Sequence, residues 1–186
     1  QGDGFFSKVY VFEDSSKYKV IGQSAAEYIG GGDKFLSIGR IYNIFTQAMD
    51  LRPNSDEGKV EALAAFGSHD ETLLNLLRIA TKIDSSSLSI NFDQKKIAPF
   101  YDVNWLKLQR AKIGNENFCA TVQDYLEETI VDYLNMVYKK YPINNLCLSG
   151  GVAANIIMSL AIFEKTQFKN IYVLPPMGDE GLAIGS

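Results

Sequence analysis

Hydrophobic and polar residues along the first fifty positions follow the pattern of a β-hairpin and then a helix. Residues 5–13 are rich in aromatic and β-branched side chains, and residues 18–24 resume that pattern after a polar turn, which is typical of paired strands. Within residues 36–50, apolar side chains recur at helical spacing, which predicts an amphipathic helix.

Three more helices are predicted further along the chain. One begins after Ser55 or Asp56, either of which suits an N-cap, and ends near Gly67. The next spans residues 70–82 and has acidic residues at its start, where the helix dipole favours them. The third spans residues 116–138, and its apolar positions recur every three or four residues. Those positions are Phe118, Val122, Leu126, Ile130, Tyr133 and Val137.

Residues 83–114 have the least regular pattern. They include a serine run, a strand-like segment (LSINF) and aromatic side chains at Phe100, Tyr101 and Trp105. We expect either an insertion or a helical cap that contacts the substrate.

The C-terminal 45 residues predict a parallel α/β arrangement. A short buried strand at 144–149 leads through a glycine turn into a helix, and a second strand at 169–176 leads through another turn into a second helix. Strands that alternate with helices in this way form parallel sheets, so the predicted fold class is α/β.

Composition narrows the classes of protein that this sequence fits. The 186 residues are 46% hydrophobic and 12% aromatic, so a mainly disordered chain is excluded and one medium or two small domains are expected. Eighteen basic and 22 acidic residues give a net charge of −4, which supplies no general attraction for nucleic acid or an acidic membrane. Apolar runs are too short to span a bilayer, and a secretion signal is not visible.

The cysteine and histidine content argues against a zinc site. Cys119 and Cys147 lie in apolar surroundings outside any Cys-x-x-Cys pattern, so we expect buried free thiols in a reducing, cytoplasmic compartment. His69 is the single histidine, and its segment GSHDE is typical of an exposed loop. One histidine and two distant cysteines are too few for a closed zinc site, and we expect no catalytic role for His69.

A glycine turn after the strand at 144–149 is a candidate phosphate site. Ser149, Gly150 and Gly151 open a helix, where backbone N–H groups and the helix dipole attract anions. Asn155 lies one turn further on and could hydrogen-bond a ligand. The loop matches neither a Walker A motif nor Gly-x-Gly-x-x-Gly, so an ordinary tight turn is the alternative.

Two aspartates near glycines are further candidates. Asp179 follows the last strand, where its carboxylate can cap a helix or bind a divalent cation at the carboxyl end of the sheet. Asp3 lies between two glycines ahead of the first strand, in a segment that fits either a phosphate clip or an ordinary turn.

Charged residues at the helix start after Asp56 form the last candidate group. Lys59 can neutralise a phosphate, and the neighbouring carboxylate of Glu61 can accept a hydrogen bond from a ribose hydroxyl. A solvated first turn that carries Glu57, Lys59 and Glu61 is the alternative.

The segments DEGKVEALAAFG, LCLSGGVAAN and VLPPMGDEGLAIGS, in this order and spacing, resemble the carbamoyltransferase family of NodU and the hydrogenase-maturation protein HypF. The domain also resembles the tRNA threonylcarbamoyl-transfer proteins. The likeness covers residues 1–186 and is weakest over 68–115. It implies the second half of an actin-like, ribonuclease-H-like domain with a mixed β-sheet flanked by helices. The N-terminal half of that domain and a C-terminal YrdC-like domain would then lie outside residues 1–186.

The resemblance also implies roles for individual residues. Asp179 would bind a divalent metal, iron or magnesium, together with histidines outside this sequence. Asn43 stands where the tRNA-modifying relatives carry a ribose-binding acid, and Glu61 falls at their ribose-binding Glu. The residues implied to bind ATP or its adenylate are Gly2, Asp3, Asn43, Glu57, Gly58, Lys59, Glu61, Ser149, Gly150, Gly151 and Asn155. No catalytic side chain is identified.

The reaction that the resemblance implies is ATP-dependent O-carbamoylation. Carbamoyl phosphate and ATP would give carbamoyl-adenylate, and this domain would pass the carbamoyl group to a hydroxyl of a small molecule or sugar. An actin-like kinase or ATPase module is one alternative. tRNA threonylcarbamoyl transfer is another, against which the acidic charge and the Glu-Gly-Lys-Val segment weigh. Residues 1–186 alone are expected to be inactive, and no membrane or nucleic acid partner is expected.

Overall fold

The structure is a computed structural model that describes residues 4–14, 16–29, 35–175 and 177. The chain divides into two compact units, Gln1–Tyr125 and Leu126–Ser186, which are described separately. Unit 1 contains β1 (Phe5–Phe12), β2 (Tyr18–Ala25), α1 (Ile38–Ala48), α2 (Glu57–Ala64), α3 (Glu71–Ala80), β3 (Thr81–Asp84), β4 (Ser89–Phe92), α4 (Gln94–Ile97), a 3-10 turn (Ala98–Tyr101) and α5 (Val103–Ile113). Helix α6 (Asn115–Lys140) crosses the boundary. Unit 2 continues with β5 (Asn145–Leu148), a 3-10 turn (Gly151–Ala154), α7 (Ile156–Lys165) and β6 (Asn170–Val173).

The strands of the described residues pair in three separate two-stranded sheets. β1 and β2 form an antiparallel hairpin in which Phe12 faces Tyr18, and β3 and β4 form a second hairpin. β5 and β6 run parallel, with Cys147 opposite Tyr172. The mixed α/β class and the N-terminal hairpin are therefore confirmed, whereas the strands expected in one mixed sheet form separate pairs.

Side-chain caps explain where two of the helices begin. Ser37 Oγ accepts a hydrogen bond from the N–H of Arg40 (3.0 Å) at the start of α1. Asp70 Oδ1 does the same for Leu73 (2.8 Å) at the start of α3. These caps satisfy N–H groups that have no partner inside the first helical turn.

The chain after α3 is more regular than its sequence pattern indicates. The helix predicted over 70–82 ends at Ala80, because Thr81–Asp84 pairs with β4 instead. Between residues 83 and 114, a hairpin strand, α4, the 3-10 turn and α5 follow one another closely. The strand-like segment LSINF is confirmed as β4, and the region supplies core side chains such as Phe100 and Leu106.

Phe45 of α1 lies at the centre of the core of unit 1. Its ring stacks on Phe118 of α6 with 4.6 Å between centroids, and on Phe100 at 6.3 Å. All three rings are buried, so burial and aromatic contact hold α1, α6 and the first 3-10 turn together. Beside them, Tyr42 Oη donates to Gln123 Oε1 at 2.9 Å, which pairs two polar groups inside the core.

The C-terminal part of α6 packs against Phe168 and the end of α7 in unit 2. The ring of Tyr138 meets Phe168 edge-on at 5.1 Å, and Asn135 Nδ2 donates to the carbonyl of Lys165 at 3.1 Å. The predicted long helix is confirmed, and its apolar stripe is buried apart from the half-buried Ile130. Across the described ranges, none of the helices combines the length and the apolarity that crossing a membrane requires.

The strand predicted at 144–149 is confirmed, but its complete burial is not. Leu146 and Leu148 are half-buried, whereas Asn145 and Cys147 are exposed. Alternate residues of a strand point to opposite faces, so an open face exposes every second side chain. The prediction of a buried thiol is therefore wrong for Cys147. It is confirmed for Cys119, and burial raises the pKa of that thiol to about 12.

The aromatic stack around Phe45 makes a first prediction. Phe45→Ala should lower the free energy of unfolding by about 3–5 kcal/mol, because it removes a buried ring and leaves a cavity. Phe66→Ala is the control, since the side chain of Phe66 is 81% exposed and should change the free energy by less than about 0.5 kcal/mol. Urea unfolding followed by circular dichroism measures both, and equal effects would contradict the central place of Phe45.

Candidate functional site

The corner between α1 and α2 contains a buried asparagine, Asn43. Its Nδ2 donates to Asn54 Oδ1 at 2.8 Å and to Glu57 Oε1 at 3.0 Å, and its Oδ1 accepts from Arg40 Nη1 at 2.8 Å. Buried amides need such partners, because a lost partner leaves the cost of desolvation uncompensated. The amide of Asn43 therefore stabilises the corner between α1 and α2 in this structure.

A further hydrogen bond between Glu57 and Asn54 stabilises the same corner. Glu57 Oε1 also accepts from the backbone N–H of Asn54 at 2.6 Å. Asn54 has a φ of 62°, a left-handed conformation that asparagine tolerates better than most residues. The hydrogen bonds of Asn54 to Glu57 and Asn43 stabilise that conformation just before α2 begins.

Asp56, the N-cap residue of α2, is the centre of a second set of polar contacts at this corner. Its Oδ2 accepts from the N–H of Arg52 at 2.9 Å and from the guanidinium Nε at 3.3 Å, and its Oδ1 accepts from Lys59 Nζ at 3.0 Å. These donors, Arg52 first, hold the pKa of Asp56 well below its usual range. The side chain of Lys59 is exposed, so its ammonium also faces solvent.

The remaining candidates of α2 are open to solvent to different degrees. Gly58 is exposed, and a Cβ placed on it would meet no atom within 4 Å. Glu61 is half-buried and lies one helical turn after Glu57, which puts both carboxylates on one face of the helix. The structure therefore brings Asn43, Glu57, Gly58, Lys59 and Glu61 together at one corner of unit 1.

In unit 2, the glycine turn follows β5 as predicted. Ser149, Gly150 and Gly151 are all exposed, and a Cβ on either glycine would meet no atom within 4 Å. Gly150 has a φ of 101°, a conformation that residues with a side chain rarely adopt. The backbone of this turn is thus open to an approaching ligand.

Asn155 does not lie one turn inside a helix that the glycines open. Residues Gly151–Ala154 form a 3-10 turn, and α7 begins only after Asn155, which is its N-cap. Asn155 Oδ1 accepts from the N–H of Met158 at 2.7 Å. The predicted position is therefore corrected: in this structure Asn155 caps α7.

Three candidates fall outside the described residues: Gly2, Asp3 and Asp179. Within the residues that the structure describes, no group of three or more histidine, cysteine or acidic side chains is arranged to hold a metal ion. The metal predicted on Asp179 stays a prediction from the resemblance.

His69 lies in an exposed loop, as predicted, and both of its ring nitrogens face carboxylates. Nδ1 lies 2.6 Å from Asp124 Oδ2, and Nε2 lies 3.1 Å from Glu71 Oε2. The contact with Asp124, followed by that with Glu71, raises the pKa of His69. Through these two contacts the imidazole links the start of α3 to α6.

Sequence reasoning missed the supporting residues of the corner, Arg40 and Asn54. Two signals were present in the sequence. Arg40 and Asn43 are three residues apart and so share a helix face, and Asn54 lies in a Pro-Asn-Ser-Asp run typical of turns with unusual backbone angles. Neither signal identifies the partner, because that depends on how α2 follows the turn.

Comparison with known proteins gives the family of this chain. The family described as "Carbamoyltransferase N-terminus" matches residues 2–186, nearly the whole sequence. The chain belongs to the carbamoyltransferase family, as the resemblance predicted.

Individual relatives agree with this membership. The chain is 42% identical over 190 residues to the uncharacterized protein MJ1058 of Methanocaldococcus jannaschii, covering 100% of this chain and 31% of the relative. It is 26% identical over 175 residues to the tRNA N6-adenosine threonylcarbamoyltransferase of Dictyoglomus turgidum, covering 93% and 48%. It is 27% identical over 135 residues to the nodulation protein NolO of Bradyrhizobium diazoefficiens, covering 70% and 24%. The chain thus spans less than half the length of each of these relatives.

The buried amide at the corner makes a second prediction. Asn43→Ala should lower the free energy of unfolding by about 1–3 kcal/mol, because it leaves buried hydrogen-bonding groups of the corner unpaired. Asn75→Ala is the matched control, since Asn75 is an exposed helical asparagine that accepts from Arg78. Chemical denaturation of both variants tests the difference, and equal stability would show that the Asn43 network contributes nothing.

The environment of His69 makes a third prediction. Because the pKa of the folded state is raised above about 6.5, the contacts should stabilise the fold at low pH. That contribution should be lost as pH rises through the raised value. A proton NMR titration reads the pKa directly, since His69 is the only histidine. Asp124→Asn should lower it, whereas Asp132→Asn, on an exposed position of the same helix, should leave it unchanged. A value unaffected by Asp124→Asn would contradict the pairing.

Proposed function

We propose that the protein of which these residues are part is an ATP-dependent O-carbamoyltransferase. In this reaction, carbamoyl phosphate, ATP and water give carbamoyl-adenylate, phosphate and pyrophosphate. The carbamoyl group then passes to a hydroxyl oxygen of a small molecule or sugar, which loses its proton, and AMP is released. The family match over residues 2–186 carries the proposal. The tRNA N6-adenosine threonylcarbamoyltransferase among the relatives supports it, since its name describes transfer of a related group to a biological acceptor.

The glycine turn of unit 2 supports a phosphate-binding role. Gly150 and Gly151 present exposed backbone with open space beside it, which is what close approach of a phosphate requires. We assign the backbone N–H groups of this turn to phosphate oxygens, with Ser149 beside them. Asn155 would act mainly by capping α7 and so fixing the end of the turn.

The corner of unit 1 supports a second set of contacts. Lys59 is the candidate for offsetting phosphate charge, and it can exchange its carboxylate partner for a ligand. Asp56 would remain compensated after such an exchange, because Arg52 donates to its other oxygen. Glu61 is the candidate for a ribose hydroxyl, whereas Asn43 and Glu57 would hold the corner in place. Positioning of acceptor and adenylate would then supply much of the rate.

Further parts of the proposal rest on the resemblance. We place these residues in the second half of an actin-like, ribonuclease-H-like domain of a cytoplasmic enzyme, which the β5–α7–β6 arrangement supports. Gly2 and Asp3 would contribute to the nucleotide site, and Asp179 would bind iron or magnesium with histidines from outside residues 1–186. Such a metal would polarise the carbamoyl group or bind phosphate oxygens.

A second candidate function is tRNA threonylcarbamoyl transfer. The relative from Dictyoglomus turgidum matches 93% of this chain, which favours it, whereas the net charge of −4 does not. A kinase or ATPase activity is a third candidate, because one fold hosts many functions.

The fourth prediction concerns the glycine turn in the longer protein. Gly151→Ala should leave stability nearly unchanged, because its Cβ meets no atom. If phosphate lies against this backbone, the same Cβ should weaken ATP binding roughly tenfold or more, which corresponds to one lost charge-assisted hydrogen bond. Isothermal titration with ATP and magnesium measures this, and Lys112→Ala, at an exposed position of α5, is the control.

The reaction class is decided by the products in the same preparation. Pyrophosphate release that requires carbamoyl phosphate supports adenylate formation. Phosphate release that does not depend on carbamoyl phosphate would favour the ATPase or kinase candidate. Binding of tRNA at low salt would favour the tRNA-modifying candidate. Unchanged ATP binding by Gly151→Ala would remove the glycine turn from the site.

A further inference from the structure

The end of α1 is closed by backbone hydrogen bonds around an unusual residue, Asp50. The N–H of Asp50 donates to the carbonyl of Gln47 at 3.0 Å, and the N–H of Leu51 donates to the carbonyl of Thr46 at 3.2 Å. This pair of bonds is the Schellman arrangement, in which the residue in the place of Asp50 adopts a left-handed conformation and is usually glycine. Asp50 has a φ of 60°, so an aspartate occupies a position that favours glycine.

Two cations of α5 show what the side chain of Asp50 contributes there. Lys107 Nζ donates to Asp50 Oδ1, and Arg110 Nη1 donates to Asp50 Oδ2 at 2.9 Å. The same Arg110 nitrogen donates to the carbonyl of Ala48 at 2.7 Å, one of the groups that a helix end leaves without a partner of its own. The hydrogen bonds from Lys107, followed by those from Arg110, lower the pKa of Asp50, which favours the charged carboxylate.

The packing of α5 makes it a firm support for these cations. Leu106 is completely buried, and Trp105 meets Phe100 edge-on at 5.2 Å between ring centroids. Lys107 and Arg110 are three residues apart and so lie on one face of the helix. An exposed ion pair alone contributes little, but the Arg110 side chain is only 23% exposed and joins a helix end to the carboxylate. These contacts are therefore suited to fixing where the chain leaves α1.

The chain that leaves Asp50 leads directly into the polar contacts of α2, and all of these elements lie in unit 1. Two residues on, the N–H of Arg52 donates to Asp56 Oδ2 at 2.9 Å, and the N–H of Asp56 donates to the carbonyl of Arg52 at 2.9 Å. Asp56 Oδ1 in turn accepts from Lys59 Nζ at 3.0 Å. A continuous series of contacts thus connects α5 with Lys59, the candidate for offsetting phosphate charge.

We propose that Arg110 and Lys107 are positioning residues for nucleotide binding, which act by holding Asp50 and so keep Lys59 where its ammonium can meet a phosphate. This inference rests on the proposed function, because it deepens the role of the nucleotide site. Without the contacts to Asp50, the segment between α1 and α2 would adopt further conformations, and only a fraction of the molecules would present Lys59 correctly. The apparent affinity for ATP falls in proportion to that fraction.

A double-mutant cycle in the longer protein tests the proposal by titration with ATP and magnesium. Lys59→Ala should weaken ATP binding roughly tenfold, and Arg110→Ala should weaken it roughly threefold or more. If Arg110 acts through Lys59, adding Arg110→Ala to Lys59→Ala should weaken binding by less than about twofold further. Lys112→Ala is the matched control, because Lys112 lies on the same helix, donates to Gln109 and should leave ATP binding unchanged.

A second variant separates the ionic contacts from the shape of the turn. Asp50→Gly removes the carboxylate, whereas glycine suits the left-handed position, so the protein should keep a cooperative urea transition. Its ATP binding should nevertheless weaken about as much as that of Arg110→Ala, and this loss should also shrink in the Lys59→Ala background. If Arg110→Ala fails to fold, as its urea transition shows, the cycle of Asp50→Gly with Lys59→Ala decides.

Several results would overturn the proposal. Unchanged ATP binding by a folded Arg110→Ala or by Asp50→Gly means that these contacts position nothing. Losses that multiply in the double variant mean that Arg110 and Lys59 act independently. Unchanged binding by Lys59→Ala means that its ammonium meets no phosphate, and the reaction class is then still decided by pyrophosphate release. If the unaltered longer protein binds no ATP, the proposed function itself fails, and this result is distinct from a failure confined to the variants.

Discussion

The need to satisfy a buried amide determines the course of the chain at the α1–α2 corner. Asn43 is buried because it lies on the inner face of α1, and its partners Arg40, Asn54 and Glu57 all come from the corner itself. Two of these partners depend on local backbone: Asn54 reaches the amide from a left-handed turn, and Glu57 reaches it from the first turn of α2. The positions of Gly58, Lys59 and Glu61 on α2 depend on where that helix begins.

Residues near a ligand site differ in how far their contacts leave them able to bind. Asn43 and Glu57 have hydrogen bonds whose loss would disturb the fold, which favours a supporting role. Lys59 has an exposed ammonium and a partner, Asp56, that Arg52 also neutralises, so moving it costs less. In unit 2, the glycine turn offers backbone groups whose approach no side chain blocks. Lys59 and the glycines are therefore better suited to contact a ligand than the buried polar residues are.

Local patterns predicted the elements whose stabilising contacts are local or periodic. The apolar residues of α6 from Phe118 to Val137 recur every three or four positions, a spacing that places them on one face of a helix. Asp70 marks the start of α3, because its carboxylate caps the helix. The strand that begins at Thr81 was missed because it forms by pairing with β4. The helical spacing of the residues before Thr81 gives no sign of that pairing. The position of Asn155 was misjudged for a similar reason, since a 3-10 turn and an α-helix have the same glycine signature at their start. Contacts such as that of Asn43 with Asn54 depend on a turn whose geometry no periodic pattern encodes.

The error at Cys147 has a different physical origin. The apolar run around β5 predicts burial, but a run of apolar letters does not say which side chains of a strand face the core. In the structure, Cys147 of β5 is exposed, and so are Ile156, Leu160 and Phe163 of α7. An apolar run thus predicts a strand at β5, whereas the exposure of each side chain depends on which face of the strand it occupies.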